Sequence, residues 1–125
     1  MTWFETKGFR FHGDTSKTFL VGNVDAKGIQ LVDCAKKALD IGIKSCQPFG
    51  SVLSIGKSIR YSKPIYNCIM MWSEYITLNT GYSICNEYTG HGIGADFHEA
   101  PLIYHAPETD IVDVILEPGM VFTIG

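Results

Sequence analysis

The sequence predicts one mixed α/β (α+β) domain, and three stretches carry that prediction. "FRFHGDTSKTFLVGN" alternates apolar and polar residues around a turn. "VDAKGIQLVDCAKKALDIGIKSC" repeats its apolar residues every three or four positions. "EPGMVFTIG" places an apolar strand after a Pro-Gly turn. A chain of 125 residues holds one domain.

In chain order, Phe9 and Phe11 form one expected strand and Phe19 and Val21 a second, with "HGDTS" as the turn between them. The next element is the clearest helix. Val32, Ala35, Leu39, Ile43 and Cys46 form its apolar stripe, Asn23 or Asp25 caps its start, and Pro48 lies just past its end. Lys36, Lys37, Asp40 and Lys44 form a solvated face. "SVLSIGKSI" opens a second helix capped by Ser51 or Ser54. From about residue 60 to 74 the sequence has no clean period, contains Pro64, and gathers aromatic and Met residues; Met70 and Met71 read as core filler. Helical texture resumes near "YITLNTGYS", with Gly81 as its stop. "GYSICNEYTG" reads as a strand, "PLIYHAPETD" as a loop that includes His105, and "MVFTI" as a last strand.

Composition narrows the function classes. Apolar residues make up 46% of the chain, charged residues 18%, and the formal net charge is -3. This balance lacks the basic footprint of nucleic-acid or anionic-membrane binding, and no apolar run is long enough to span a bilayer. Cys34, Cys46, Cys68 and Cys85 have no CxxC spacing, so they read as free thiols of a reducing compartment, the cytosol or the mitochondrial matrix.

The residues that packing explains least are His12 and Asp14 in the first turn, and His91 and His98 in "TGHGIGADFHEAPLIYH". An Asp and a His from separate strand ends can ligate a first-row transition metal. A second His off the metal can stabilise charge developing on a substrate carbonyl. The same residues fit plainer roles: Asp14 an Asx-turn, and His91 an ordinary hydrogen-bonding loop residue.

"HGDTSKTFLVGN", "GHGIGADFHEAP" and "LEPGMVFTI", in this order, resemble the signature segments of type I methionine aminopeptidases, metalloproteases of peptidase family M24. The resemblance implies a partial pita-bread fold, an antiparallel curved sheet with covering helices, forming one incomplete domain over residues 1–125 with an atypical insertion at about 60–74. It implies removal of the initiator methionine from nascent proteins, so that the partner is the N-terminal Met of a nascent peptide, with neither nucleic acid nor membrane involved. It implies two divalent ions, drawn from cobalt, manganese, iron or zinc. By position, Asp14 matches the carboxylate that bridges the ions and His91 the histidine ligand. His98 matches the catalytic histidine that contacts substrate, and Phe97 a wall of the methionine side-chain pocket.

The family uses two aspartates, one histidine and two glutamates as ligands. Residues 1–8 contain no Asp, and Gly125 stands where the next Glu is expected. The expectation is therefore a truncated chain, inactive alone, with an apolar sheet face open to association. The alternatives are a non-catalytic pita-bread binding protein and a prolidase-like peptidase of the same family.

Overall fold

The computed structural model describes residues 2–6, 8–60, 81–106 and 110–125, with side chains omitted at residues 2–6 and 60. The expected insertion at about 60–74, its Met70 and Met71, and the helical texture before Gly81 lie outside the described residues, apart from the last residue of a helix that ends at Arg60.

Strands β1 (Thr2–Thr6) and β2 (Phe9–Gly13) pair antiparallel around Gly8, with Thr2 opposite Gly13 and Thr6 opposite Phe9. The hairpin expected around "HGDTS" is therefore displaced. The partner of β2 precedes it, and residues 14–21 run on without strand pairing. Phe19 and Val21 stand 72% and 85% exposed rather than packed on Phe9 and Phe11. Alternation marked a strand correctly at residues 9–13, but the turn residues after it end a strand and do not join two.

Helix α1 (Ala26–Ser45) begins at Asp25, whose carboxylate accepts the Gly28 N–H at 2.7 Å, and it closes where the Cys46 N–H donates to the Ile43 carbonyl. Its boundaries follow the sequence reading, but its buried face does not. Cys34 and Gly42 are buried and Ala38 packs on the core, whereas Leu39 and Ile43 remain 36% and 53% exposed. Helix α2 (Leu53–Arg60) lies against the Gly42 stripe, with the Ile59 side chain close to that glycine. Ser51 caps α2 by accepting the Ser54 N–H at 3.2 Å. Asp113, from a segment far along the chain, accepts the Leu53 N–H at 3.2 Å.

Strands β3 (Gly90–Gly92) and β4 (Glu99–Ile103) form a second antiparallel pair. Glu99 to Ile103 is thus a strand where the sequence reading put a loop from Pro101 onward, and residues 81–89, read as a strand, are unpaired. Of the expected strand "MVFTI", one isolated bridge remains, Gly92 to Phe122; the turn at Pro118–Gly119 is present. Among the described residues the sheet is therefore two two-stranded ladders. A hydrogen bond from the His12 N–H to the Gly94 carbonyl, 2.8 Å long, joins their ends.

Val52, Ile55, Ile59, Ile103 and Leu116 form the core, between α2, β4 and the segments around Leu116. Full burial of a branched aliphatic side chain contributes about 1.5–3 kcal/mol, and Val52, Ile55 and Ile103 are the largest side chains so buried. This cluster anchors the strand pair that carries the histidine-rich stretch. No described helix is long and apolar enough to cross a membrane.

Candidate metal and substrate site

His91 sits in the middle of β3, buried, with glycines on both sides. The structure gives a physical reason for both glycines. A side chain at Gly90 would collide with the Thr123 carbonyl oxygen, and one at Gly92 with the Ala100 carbonyl oxygen. Backbone runs close to β3 on both sides, and only glycine admits that approach. The register between β3 and β4 slips between His91 and Gly92, so Gly92 faces Glu99 while His91 faces Leu102.

Several hydrogen bonds fix His91. Its N–H donates to the Thr123 hydroxyl at 3.0 Å, and its carbonyl accepts the Thr123 N–H at 2.8 Å. Its Nδ1–H donates to the Gly92 carbonyl at 2.9 Å. A carbonyl can only accept, so the neutral ring carries its proton on Nδ1 and its lone pair on Nε2. That is the arrangement by which an outer hydrogen bond orients a metal-binding imidazole.

Nε2 points toward Asp14, whose Oδ2 lies 3.9 Å away. Asp14 follows directly on β2, and β2 is tied to the β3 end of the site through His12. The His12 backbone N–H and ring Nδ1–H both donate to the Gly94 carbonyl, at 2.8 and 3.2 Å. The sequence marked His12 as unusual but gave it no such task. The segment after β3 is shaped by Glu99, whose carboxylate accepts the Asp96 N–H at 2.8 Å.

His98 and Phe97 close one side. The His98 ring lies 4.4 Å from that of His91, and the Phe97 ring lies 5.5 Å from His91, 4.7 Å from His98 and 5.7 Å from His12. The four site residues read from the sequence, Asp14, His91, Phe97 and His98, are thus brought together. A cleft of about 450 Å³ opens beside Asp14, lined also by Leu39, Ile43, Phe122 and Thr123; it does not reach His91 or His98.

Two donors on one tetrahedral ion, with bonds of about 2.0–2.2 Å, lie roughly 3.3–3.6 Å apart, so the carboxylate oxygen and imidazole nitrogen, at 3.9 Å, would close by a few tenths of an ångström to share an ion. Among the described residues no group of three or more His, Cys, Asp or Glu side chains is placed to hold an ion. The donor set for a pair of ions is therefore not assembled from them.

The model of metallopeptidase family M24 matches residues 4–125, nearly the whole chain. The chain belongs to metallopeptidase family M24. It is 39% identical over 91% of its length to the human mitochondrial methionine aminopeptidase 1D, of which it spans 29%. It is likewise 39% identical over 91% of its length to the methionine aminopeptidase of Salmonella typhimurium, of which it spans 38%. The crystal structure of methionine aminopeptidase from Rickettsia prowazekii superposes with a TM-score of 0.72 at 30% identity, covering 91% of this chain and 40% of that one. The chain thus spans between a quarter and two fifths of the length of these relatives, and over that span it has their pita-bread fold. Its M24 membership implies use of a divalent metal.

Proposed function

We propose that this chain carries part of the active site of a methionine aminopeptidase, a metal-dependent hydrolase that removes the initiator methionine from nascent proteins in the cytosol or the mitochondrion. The observation that carries the reading is the meeting of Asp14 and His91, remote in sequence, with Nε2 free to bind and Oδ2 3.9 Å away.

Asp14 and His91 would hold a divalent ion, of cobalt, manganese, iron or zinc. When bound, such an ion polarises a peptide carbonyl and lowers the pKa of a water. Asp14 brings the negative charge that offsets the ion. His91 is held by Thr123 and Gly92, so its lone pair stays aimed at the ion without reorganisation. His98 stands beside His91, off the ion, and donates to the oxygen of the scissile carbonyl as charge builds there. Phe97 forms an apolar wall against the methionine side chain. The exposed Leu39, Ile43, Phe19 and Val21 give the chain an apolar surface suited to association.

The test places the chain in a protein of the relatives' length, supplied with manganese or cobalt, and compares Met-Ala-Ser with Xaa-Pro peptides. Release of methionine from the first, abolished by His91→Ala, is the expected result. Cleavage of Xaa-Pro peptides instead would move the protein to the prolidase-like branch. The meeting of only two donors among the described residues favours one other reading, a non-catalytic binding protein, and cleavage of neither substrate would select it.

A further inference from the structure

His105 is a second buried histidine, 7% exposed, and the proposed chemistry does not use it. The sequence places it in a loop. In the structure it lies two residues past β4, at a bend in the chain that is pressed against α2. Gly56 of α2 makes that contact: a side chain there would collide with the Tyr104 carbonyl oxygen and crowd the His105 backbone. Ile103, two residues before His105, is fully buried against Ile55 and Ile59. The imidazole is therefore mounted on the packed core.

Its ring reaches two segments that are far apart in sequence. Nε2 accepts the Gly125 N–H at 3.4 Å, a long hydrogen bond. The Tyr88 backbone also lies within reach of the ring. Because Nε2 accepts the Gly125 N–H, the ring is in its neutral form with the proton on Nδ1. Burial favours that form by pushing the imidazole below its ordinary pKa.

Gly125 follows directly on the segment that lies against β3. Val121 accepts from Ile93, Phe122 bridges Gly92, and Thr123 bonds both backbone groups of His91. Phe122 and Ile124 pack against the core, but Val121 is 64% exposed, so apolar burial alone secures one face of the segment. We propose that His105 is a positioning residue, which latches Gly125 to the β4–α2 core and so holds Thr123 against His91. This deepens the proposed site, and only its last link, the placement of His91, rests on that reading.

The experiment uses the chain as it is, without metal and without substrate, so it is decided separately from aminopeptidase activity. Long-range ¹H–¹⁵N correlation spectra identify the His105 tautomer, and amide hydrogen exchange follows Thr123. The expected result is a fixed Nδ1–H tautomer for His105. In His105→Phe, the Thr123 amide should exchange about fivefold faster, the effect of one lost hydrogen bond, and the His91 ring resonances should move. In His105→Gln, whose side-chain oxygen can accept from Gly125, both should return toward the parent values. An Nε2–H tautomer, or the averaged spectrum of a free imidazole, overturns the proposal. So does unchanged Thr123 exchange in His105→Phe, or no difference between the Phe and Gln variants. If His105→Phe fails to fold, the parent tautomer and the Thr123 exchange of His105→Gln, expected close to the parent's, decide the matter.

Discussion

The Asp14 carboxylate and the His91 imidazole face each other across 3.9 Å, one just past the end of β2 and the other within β3. His12 and Gly94 hold this relationship from one side and Thr123 holds it from the other. Each hydrogen bond contributes only about 0.5–1.5 kcal/mol to stability, but together they hold His91 in place and seat the backbone that leads into Asp14.

Metal binding is the most direct check. With one carboxylate and one imidazole, the chain should bind manganese or cobalt weakly, because water brings no charge to the remaining coordination positions. Titration calorimetry should show Asp14→Asn and His91→Ala each lowering the affinity tenfold or more, about 1.4 kcal/mol. Unchanged binding in both variants would place the ion elsewhere.

His98 should separate chemistry from metal content. In the protein of the relatives' length, His98→Ala should lower kcat about 10²- to 10³-fold, the usual cost of removing one oxyanion donor. Metal content by atomic emission should stay near that of the parent. Loss of metal in this variant would mean that His98 is a ligand.

Gly92→Ala tests the close approach of β3 to its neighbour. The added methyl meets the backbone of Ala100 and Glu99, which cannot move aside as a flexible side chain can. Overpacking of this kind costs about 1–3 kcal/mol, which should appear as a lower midpoint in urea unfolding with an unchanged slope.

The pH dependence of stability should carry the mark of His105. Its burial holds the folded-state pKa below the unfolded value of about 6.5. The unfolded chain therefore binds the proton first as pH falls. The contribution is fully present above about pH 6.5 and is lost as pH drops from there through the lowered folded value. His105→Gln removes the titrating group. The difference in stability between parent and variant should therefore shrink in the parent's disfavour as pH falls below about 6.5, as measured by chemical denaturation at a series of pH values.

Much of this was legible from residues alone. Asp25, the apolar period and Pro48 set α1 because capping and periodicity act within a few residues of each other. The histidines and glycines of "TGHGIGADFH" stand out because no core-packing pattern accounts for them, with a hydrogen-bonding loop as the plainer reading beside a site. The sequence could not choose which of two adjacent stripes of α1 would be covered. Leu39 and Ile43 are the more apolar pair, yet the stripe through Cys34, Ala38 and Gly42 is the one packed inward, since the small Gly42 lets Ile59 come close.

The partner of β2, the strand at Glu99–Ile103, the Asp113 cap on α2 and the burial of His105 were all decided at the tertiary level. Each depends on hydrogen bonds or packing between segments tens of residues apart, which no local pattern encodes. Local chemistry selected the residue types proposed to bind a metal and a carbonyl oxygen. The bonds from His12 to Gly94 and from Thr123 to His91 brought Asp14 and His91 together, because strand pairing is set by which backbone groups remain to be satisfied once the core has closed.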